Sequence, residues 1–361
     1  MKIKRSSKCS LKYANQNKLK QLDVVLIEYA NVVNHFIDLF WNKKLPRKAE
    51  LLKPIVDSPE SWLSARLRKV AARESIDMIK SSIEKAKTDK KDPVKPIHRG
   101  KRMCVSSTIA SLLPSKKSTK FDCWLKLTSI GNKIKINIPL KLHKHFNKLS
   151  KKGKRLESYV VTKESIQFCF EINTGEKQKK DKCIGIDTGI NALASTSNRK
   201  QYGTDFKNNI ERVKRCKHGS KGQKKAIRAL RQKIDEIAKE IVKGVSLVVV
   251  ENLKGITKGT KLKRRLSKNI RRSIGKWNVR YWLTRLQWNC EETNVSFRTV
   301  SPWKTSQTCS LCGYADSKNR DGSMFLCLSC SHSDNADINA SKNILNRFLS
   351  GPYGAGCKAL V

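Results

Sequence analysis

No stretch of this chain is apolar over the length that a membrane-crossing helix needs, and no secretory pattern follows the opening MKIKR. These absences argue against an integral helical membrane protein and lead to the expectation of a cytoplasmic one. Acid is scarce as well: 30 Asp and Glu stand against 77 Lys and Arg, a formal net charge of +47. A chain so unbalanced repels itself unless a polyanion neutralises it. That argues against an enzyme for small neutral substrates and points to nucleic acid. A membrane surface is also polyanionic, but nothing apolar enough to anchor there is present. Repeats of solenoid period and long low-complexity tracts are lacking too. Of twelve cysteines, eight are scattered singly, several of them inside apolar runs such as IQFCFEI (Cys169) and KCIGID (Cys183). That usage fits buried thiols in a reducing compartment rather than a disulfide framework.

The other four cysteines are spaced for a metal. Cys309-x2-Cys312 and Cys327-x2-Cys330 form two knuckles with fourteen residues between them. Two such hairpins can surround one structural Zn²⁺ with four thiolates while the loop between them folds outside the site. Gly313 follows the first knuckle and suits the positive φ that such a turn demands. Disulfides are the competing reading, and the Cys₄ ribbon spacing argues against them. Beyond the last cysteine, Asp334, Asp337 and Asn339 lead into an apolar helix, so a carboxylate that could hold a second kind of metal lies beside the zinc module.

Taken in order, the chain reads as multidomain α+β. Residues 1–12 form a short basic strand. From 17 to 41, Leu22, Val25, Leu26, Tyr29, Val33, Phe36, Ile37 and Phe40 recur at helical spacing. Ser58-Pro59 offers an N-cap and a first-turn proline for a second helix, with Leu63, Leu67, Val70, Ile76, Ile79 and Ile83 inward. Arg66, Arg68, Lys69 and Arg73 on its outer face could cradle a phosphate backbone or form a solvated face. A polar linker at 87–96 precedes strands of period two: 123–128, 133–139 after a Gly131-Asn turn, 158–161 and 165–172. A basic helical piece at 140–156 interrupts them, and residues 1–12 are expected to pair into this β module.

From 182 the pattern becomes α/β. CIGID is a buried strand ending in Asp187, and a sharp turn and second strand follow. Next comes a helix with Ile227, Leu230, Ile234, Ile237 and Ile241 on one face. VSLVVVE is continuously apolar, as a strand buried on both faces must be, and ends in Glu251. Residues 254–280 are acid-free and rich in Lys and Arg. A helix carrying Val279, Leu283, Leu286 and Cys290 and a strand at 295–300 come next, and residues 351–361 read as a loose tail.

Asp187, Glu251 and Asp337 thus stand at two strand ends and a helix entrance, where open α/β sheets place their ligands. Converging there, they would repel one another unless cations held them. Hard oxygen donors choose Mg²⁺ or Mn²⁺. Two such ions about 3.5–4 Å apart activate a water and stabilise the leaving oxygen of a phosphodiester. Each acid also has a bland reading: Asp187 as a turn residue before Gly189, Asp334 or Asp337 as a helix N-cap, Glu251 as an exposed strand end.

The motifs GIDTGINALA, VVVENLKG, SPWKTSQTCSLCG and CLSCSHSDNADINASKNIL, in that order over 182–345, resemble the RuvC-type nuclease of the TnpB family. These are transposon-encoded RNA-guided nucleases, related to compact type V CRISPR effectors. The resemblance implies an RNase H-like (RuvC) α/β nuclease domain at 182–361 with a zinc-ribbon insertion at 304–333. It implies catalytic, Mg²⁺-holding acids at Asp187, Glu251 and Asp337, and zinc at Cys309, Cys312, Cys327 and Cys330. Asp334 takes an acidic position common before the third acid and is not counted as a ligand. The implied partners are a guide RNA and double-stranded target DNA with its unwound strands, in a bacterial or archaeal cytoplasm at the nucleoid. By order and length, 1–12 and 95–181 correspond to a β-barrel-like wedge module, and 13–94 to a helical recognition insertion. Ser331 stands where a glycine usually follows the last cysteine, and Ala340-Ser341 where two alanines are common; neither departure removes a ligand. Three readings follow: a TnpB-like RNA-guided DNA endonuclease, a compact type V effector or intermediate, and a non-cleaving RNA-guided regulator. A self-sufficient transposase lacks its Tyr-with-His motif here. Monomer and homodimer are not separated by sequence.

Overall fold

The computed structural model describes residues 1–115, 120–175, 182–253 and 278–351. The chain divides into two compact units, residues 2–173 and residues 174–361 together with Met1. Among the described residues no helix is long and apolar enough to cross a membrane.

The first unit contains, in order, β1 (Lys2–Ser10), α1 (Gln16–Phe40), α2 (Lys53–Val56), α3 (Ala65–Asp89), β2 (Arg102–Ser106), β3 (Ala110–Pro114), β4 (Cys123–Thr128), β5 (Lys135–Leu140), α4 (Lys144–Lys152), β6 (Gly153–Thr162) and β7 (Ser165–Asn173). β1 pairs antiparallel with β7 along its whole length, from Lys2 opposite Asn173 to Ser10 opposite Ser165. The sheet continues as β1-β7-β6-β2, and β3-β4-β5 makes a second antiparallel sheet. Both share one core with α1 and α3, built on side chains such as Phe36, Leu67, Leu125, Phe168 and Phe170. All eight apolar positions read from the sequence of α1 are buried, and Asn15 caps its start by accepting from the Lys18 amide.

Some expectations fail here for local reasons. The second helix begins after Ser64, not at Ser58-Pro59. The Ser58 hydroxyl instead donates to the Ile55 carbonyl (2.8 Å), closing the turn of α2. That helix also runs on to Asp89, into the expected linker. Arg68 points back to Asp57 (2.5 Å) rather than outward. The basic helix expected over 140–156 shrinks to α4, because β5 and β6 claim its two ends.

The second unit is built around β8 (Cys183–Asp187), β9 (Ala194–Thr196), β10 (Gln201–Tyr202), α5 (Phe206–Arg215), α6 (Lys221–Ile241), β11 (Leu247–Glu251), α7 (Val279–Thr293), β12 (Ser296–Val300), β13 (Arg320–Asp321), β14 (Met324–Leu326), β15 (Ser333–Asn335) and α8 (Ala336–Leu349). The main sheet has the order β10-β9-β8-β11-β12. β8, β11 and β12 are parallel, while β9 and β10 turn back antiparallel. Period two sorts the central strands between two cores. Ile184, Ile186, Val248 and Val250 face α5, α6 and α7, whereas Cys183, Leu247 and Val249 face Ile344 and Leu345 of α8. Both faces are therefore covered, which is why β11 reads as an unbroken apolar run. α5 has no counterpart in the sequence reading. In α7 the most deeply buried ring is Trp282, while Val279 and Leu283 of the expected stripe are only half-buried. Most of the basic run (254–277) and the tail beyond 351 lie outside the described residues.

Close approach at one point sets the position of α8. A Cβ at Gly185 would meet the Ser341 carbonyl oxygen at 2.2 Å and the Leu345 amide nitrogen at 2.7 Å. Both are backbone atoms of a packed helix and cannot swing aside. Gly185→Ala is expected to destabilise this unit by about 3 kcal/mol, read as a lower urea midpoint. A midpoint equal to the parent's would mean that the helix can slide over the strand.

Candidate active site and metal centre

β8 and β11 are parallel neighbours in register, Ile186 opposite Val250, so their next residues, Asp187 and Glu251, leave the sheet at the same edge. The third acid arrives on α8, which packs over β8. Asn335 caps that helix, its Oδ1 accepting from the amides of Asp337 (3.0 Å) and Ile338 (3.2 Å). The cap is thus neither Asp334 nor Asp337, and the Asp337 carboxylate is free of capping duty.

The three acids feel one another. The Asp187 carboxyl is pushed up to about 7, first by burial and then by the negative charges of Glu251 and Asp337, with the Arg320 guanidinium opposing. Burial also raises Glu251, against the Thr305 hydroxyl that donates to its Oε1 and the positive charge of Arg347. Asp337 Oδ1 accepts from Arg320 Nη2 at 2.8 Å. Half-buried, with two of the three raised by burial, these acids offer the hard oxygen donors that a divalent cation of the Mg²⁺ or Mn²⁺ kind takes.

Asp334 is separately employed. Burial alone would raise it, but the Lys342 ammonium (2.7 Å), the Asn335 amide (2.8 Å) and Arg199 (2.8 Å) hold its carboxyl below the usual range. Its side chain is 1% exposed, enclosed by these cations.

The four cysteines converge as a second centre. Their sulfurs all lie within 4.8 Å of one another, with Cys309 and Cys330 at 3.8 Å and Cys312 and Cys327 at 3.5 Å. A tetrahedron of thiolates with metal–sulfur bonds of about 2.3 Å has edges of roughly 3.8 Å, whereas a disulfide needs about 2.05 Å. The set fits a zinc ion. The two knuckles have the same turn: the Gly313 amide donates to the Cys309 carbonyl (3.0 Å) and the Ser331 amide to the Cys327 carbonyl (2.9 Å). Both turn residues have positive φ, 78° at Gly313 and 58° at Ser331. Ser331 therefore adopts, at some cost in strain, the conformation that glycine takes freely.

Several residues tie the two centres together in ways that the sequence does not announce. Arg320 stands on β13 in the loop between the knuckles and reaches Asp337 from there. Asn339 and Asn343, one turn apart on α8, grip the segment that leads into the first knuckle and its second residue: Asn339 bonds Thr308 and Ser310, and Asn343 bonds Thr305 and Thr308. Buried Asn319 links the Gln307 carbonyl to the Leu328 amide across the ribbon. The i, i+4 asparagines after Asp337 were a signal that could have been read; Arg320 was one cation among 77. On the other side, Trp282 Nε1 donates to Thr188 Oγ1 (3.3 Å) and braces the turn after Asp187.

Residues 281–344 match the family model described as Cas12f1-like, TNB domain. A TnpB-like protein of Aquifex aeolicus (strain VF5) is 36% identical over 132 residues, which cover 36% of this chain and 42% of that relative. A CRISPR-associated endodeoxyribonuclease Cas12f1 of an uncultured archaeon is 27% identical over 150 residues, covering 37% of this chain and 28% of the relative. The chain thus spans less than half the length of either relative. Among solved structures, the mini-RNA-guided endonuclease CRISPR-Cas_phi3 superposes with a TM-score of 0.58 over 99% of this chain and 94% of that one, at 10% identity, a likeness of fold alone.

Proposed function

We propose that this chain is a member of the TnpB and compact type V effector family, to which its C-terminal part is similar, and is an RNA-guided endonuclease that cleaves target DNA by metal-dependent phosphodiester hydrolysis. The observation that carries the reading is the convergence of Asp187, Glu251 and Asp337 at one edge of an α/β sheet, in electrostatic reach of one another, in a chain of net charge +47. Those three side chains would hold two Mg²⁺ or Mn²⁺ ions, which when bound supply an activated water and neutralise the leaving oxygen. Thr305 fixes the orientation of Glu251, and Arg320 fixes that of Asp337 and adds positive charge beside the reacting phosphate. Asp187 serves as a ligand only when deprotonated. The Cys₄ centre would hold one structural Zn²⁺ and, through the asparagines on α8, keep Thr305 and Arg320 in place.

The remaining modules are assigned on the same reading: 1–12 and 95–181 as the wedge, 13–94 as the helical recognition insertion, and 182–361 as the nuclease with its ribbon at 304–333. Guide RNA and double-stranded DNA are the partners that this reading requires. Specificity then rests on base pairing, with the protein reading backbone shape and a short adjacent motif.

Because a chain this basic binds any polyanion, binding alone proves little. The test replaces only the guide segment of the RNA that copurifies with the protein. Cutting is expected to move to the newly matched DNA, in Mg²⁺ and not in EDTA. Cutting that ignores the exchange, or proceeds without RNA, would make this a nonspecific nuclease. Guided binding without any cutting would make it a regulator.

A further inference from the structure

The residues of α6 and α7 that face away from the sheet form a second feature, outside the acid cluster. Residues 221–233 hold six Lys and Arg and no acid. This is the first half of α6, where the helix dipole already presents its positive pole. Cations there repel both the pole and one another, a cost that an anion relieves. Lys224, Arg228 and Arg231 are exposed and spaced i, i+4, i+7, so they share one face.

Against that row, α7 offers Tyr281, Arg285 and Trp288 at the same spacing. The Arg231 guanidinium lies 5.1 Å from the centre of the Tyr281 ring, and that of Arg285 lies 5.4 Å from the centre of the Trp288 ring. Asp235 accepts from Tyr281 Oη (3.0 Å) and Arg285 Nε (2.6 Å), which locks both in orientation. A groove of about 820 Å³ runs here, lined among others by Lys224, Arg228, Arg231, Asp235 and Tyr281. Trp288 remains 43% exposed.

A merely solvated basic face would account for the lysines. It does not account for two aromatic rings held near the surface, each with a guanidinium against it, nor for one carboxylate that ties Tyr281 to the Arg285 lying on Trp288. Flat π and guanidinium groups alternating with cations suit unstacked bases and their phosphates. One residue links the groove's helix to the acid cluster: Tyr281, which lines the groove, is followed by Trp282, which donates to Thr188, and Thr188 follows Asp187.

We propose that the α6–α7 groove binds single-stranded DNA, as the path by which a strand reaches Asp187, Glu251 and Asp337. The link to cutting rests on the nuclease reading above; the binding does not. The test uses the full ribonucleoprotein in EDTA, with a single strand of DNA carrying 5-iododeoxyuridine and, in a second arm, guide RNA carrying 4-thiouridine. Ultraviolet cross-links from the DNA are expected at Tyr281 or Trp288. The double variant Arg228→Ala/Arg231→Ala is expected to lose roughly tenfold in affinity for the DNA strand, with the salt dependence falling by about two ions. Trp288→Ala is expected to lose about five- to tenfold while Trp288→Phe keeps most of the affinity, a difference that charge alone would not produce. Cross-links from the guide RNA to these residues, absence of any DNA cross-link there, or unchanged affinity in variants with the parent's melting temperature would overturn the proposal. Because binding is read without metal, it stands or falls separately from the acids: a parent ribonucleoprotein that cuts no matched DNA in Mg²⁺ would sink the nuclease reading and leave this result untouched.

Discussion

Asp187→Ala, Glu251→Ala and Asp337→Ala should each reduce DNA cutting by on the order of a thousandfold or more, while guided DNA binding stays within a few fold of the parent's. Each substitution removes one of three half-buried carboxylates, two at the ends of neighbouring strands and one on the helix that packs over them. Affinity comes from phosphate contacts spread over the basic chain, so it survives. Near-normal cutting by any one variant would remove that residue from the site. A second expectation separates this reading from a merely structural acid. Without cations the folded chain keeps Asp187 protonated up to about pH 7, whereas the unfolded chain ionises it near pH 4. Between those values the unfolded state binds fewer protons, so stability falls as pH rises through the window. Asp187→Asn abolishes that loss. In EDTA the variant should melt higher than the parent at about pH 8, by on the order of a few kcal/mol, and equally near pH 4. An acid kept for stability would give the opposite sign at about pH 8, with the Asn variant melting lower. Gain of stability together with loss of cutting is the signature of a site strained for function.

What could be read in advance follows the range of the interactions concerned. VSLVVVE could be read because a strand covered on both faces must be apolar throughout, and its terminal Glu251 stood out against that run. CIGID gave Asp187 in the same way, and the paired cysteines carried their own geometry in their spacing. Arg320 and Thr305 could not be read, since each meets its acid only through the path that the ribbon takes in three dimensions. β2 was invisible because its five residues pair with β6 more than fifty positions away, so no local turn announces it. Ser58-Pro59 misled because a capping signal is a weak preference, and a neighbouring carbonyl took the hydroxyl. Asn335 makes the same point from the other side. It lay between two acids that were each weighed as caps, and its capture of both amides is what leaves Asp337 available. The basic run at 254–277, where a strand-admitting loop was expected, lies outside the described residues.

Stripping zinc, or changing Cys309 or Cys327 to Ser, should cost about one equivalent of bound metal and lower cutting by roughly a hundredfold or more, although none of these thiols touches the acids. The ribbon has almost no core of its own: Cys309, Phe325, Cys327 and Ala336 are its only buried apolar cluster among the described residues. Four side chains cannot hold a loop of this length, whereas a Cys₄ zinc site supplies on the order of 10 kcal/mol. Two of the four are themselves the ligands, and Ala336 precedes Asp337. Without the ion, β13 loses its partner strands, and Arg320 can no longer be held at 2.8 Å from Asp337. The segment from Thr305 to Ser310 would likewise be left hanging from Asn339 and Asn343 alone, which frees the hydroxyl that orients Glu251. The damage should therefore show as lost cutting and a locally unprotected ribbon in hydrogen exchange, with amides of β8 and β11 still protected. Readdition of one equivalent of Zn²⁺ to stripped parent, but not to Cys309→Ser, should restore both. Zinc-free protein that cuts at the full rate would show that the ribbon positions nothing, and Arg320 and Thr305 would then need another support.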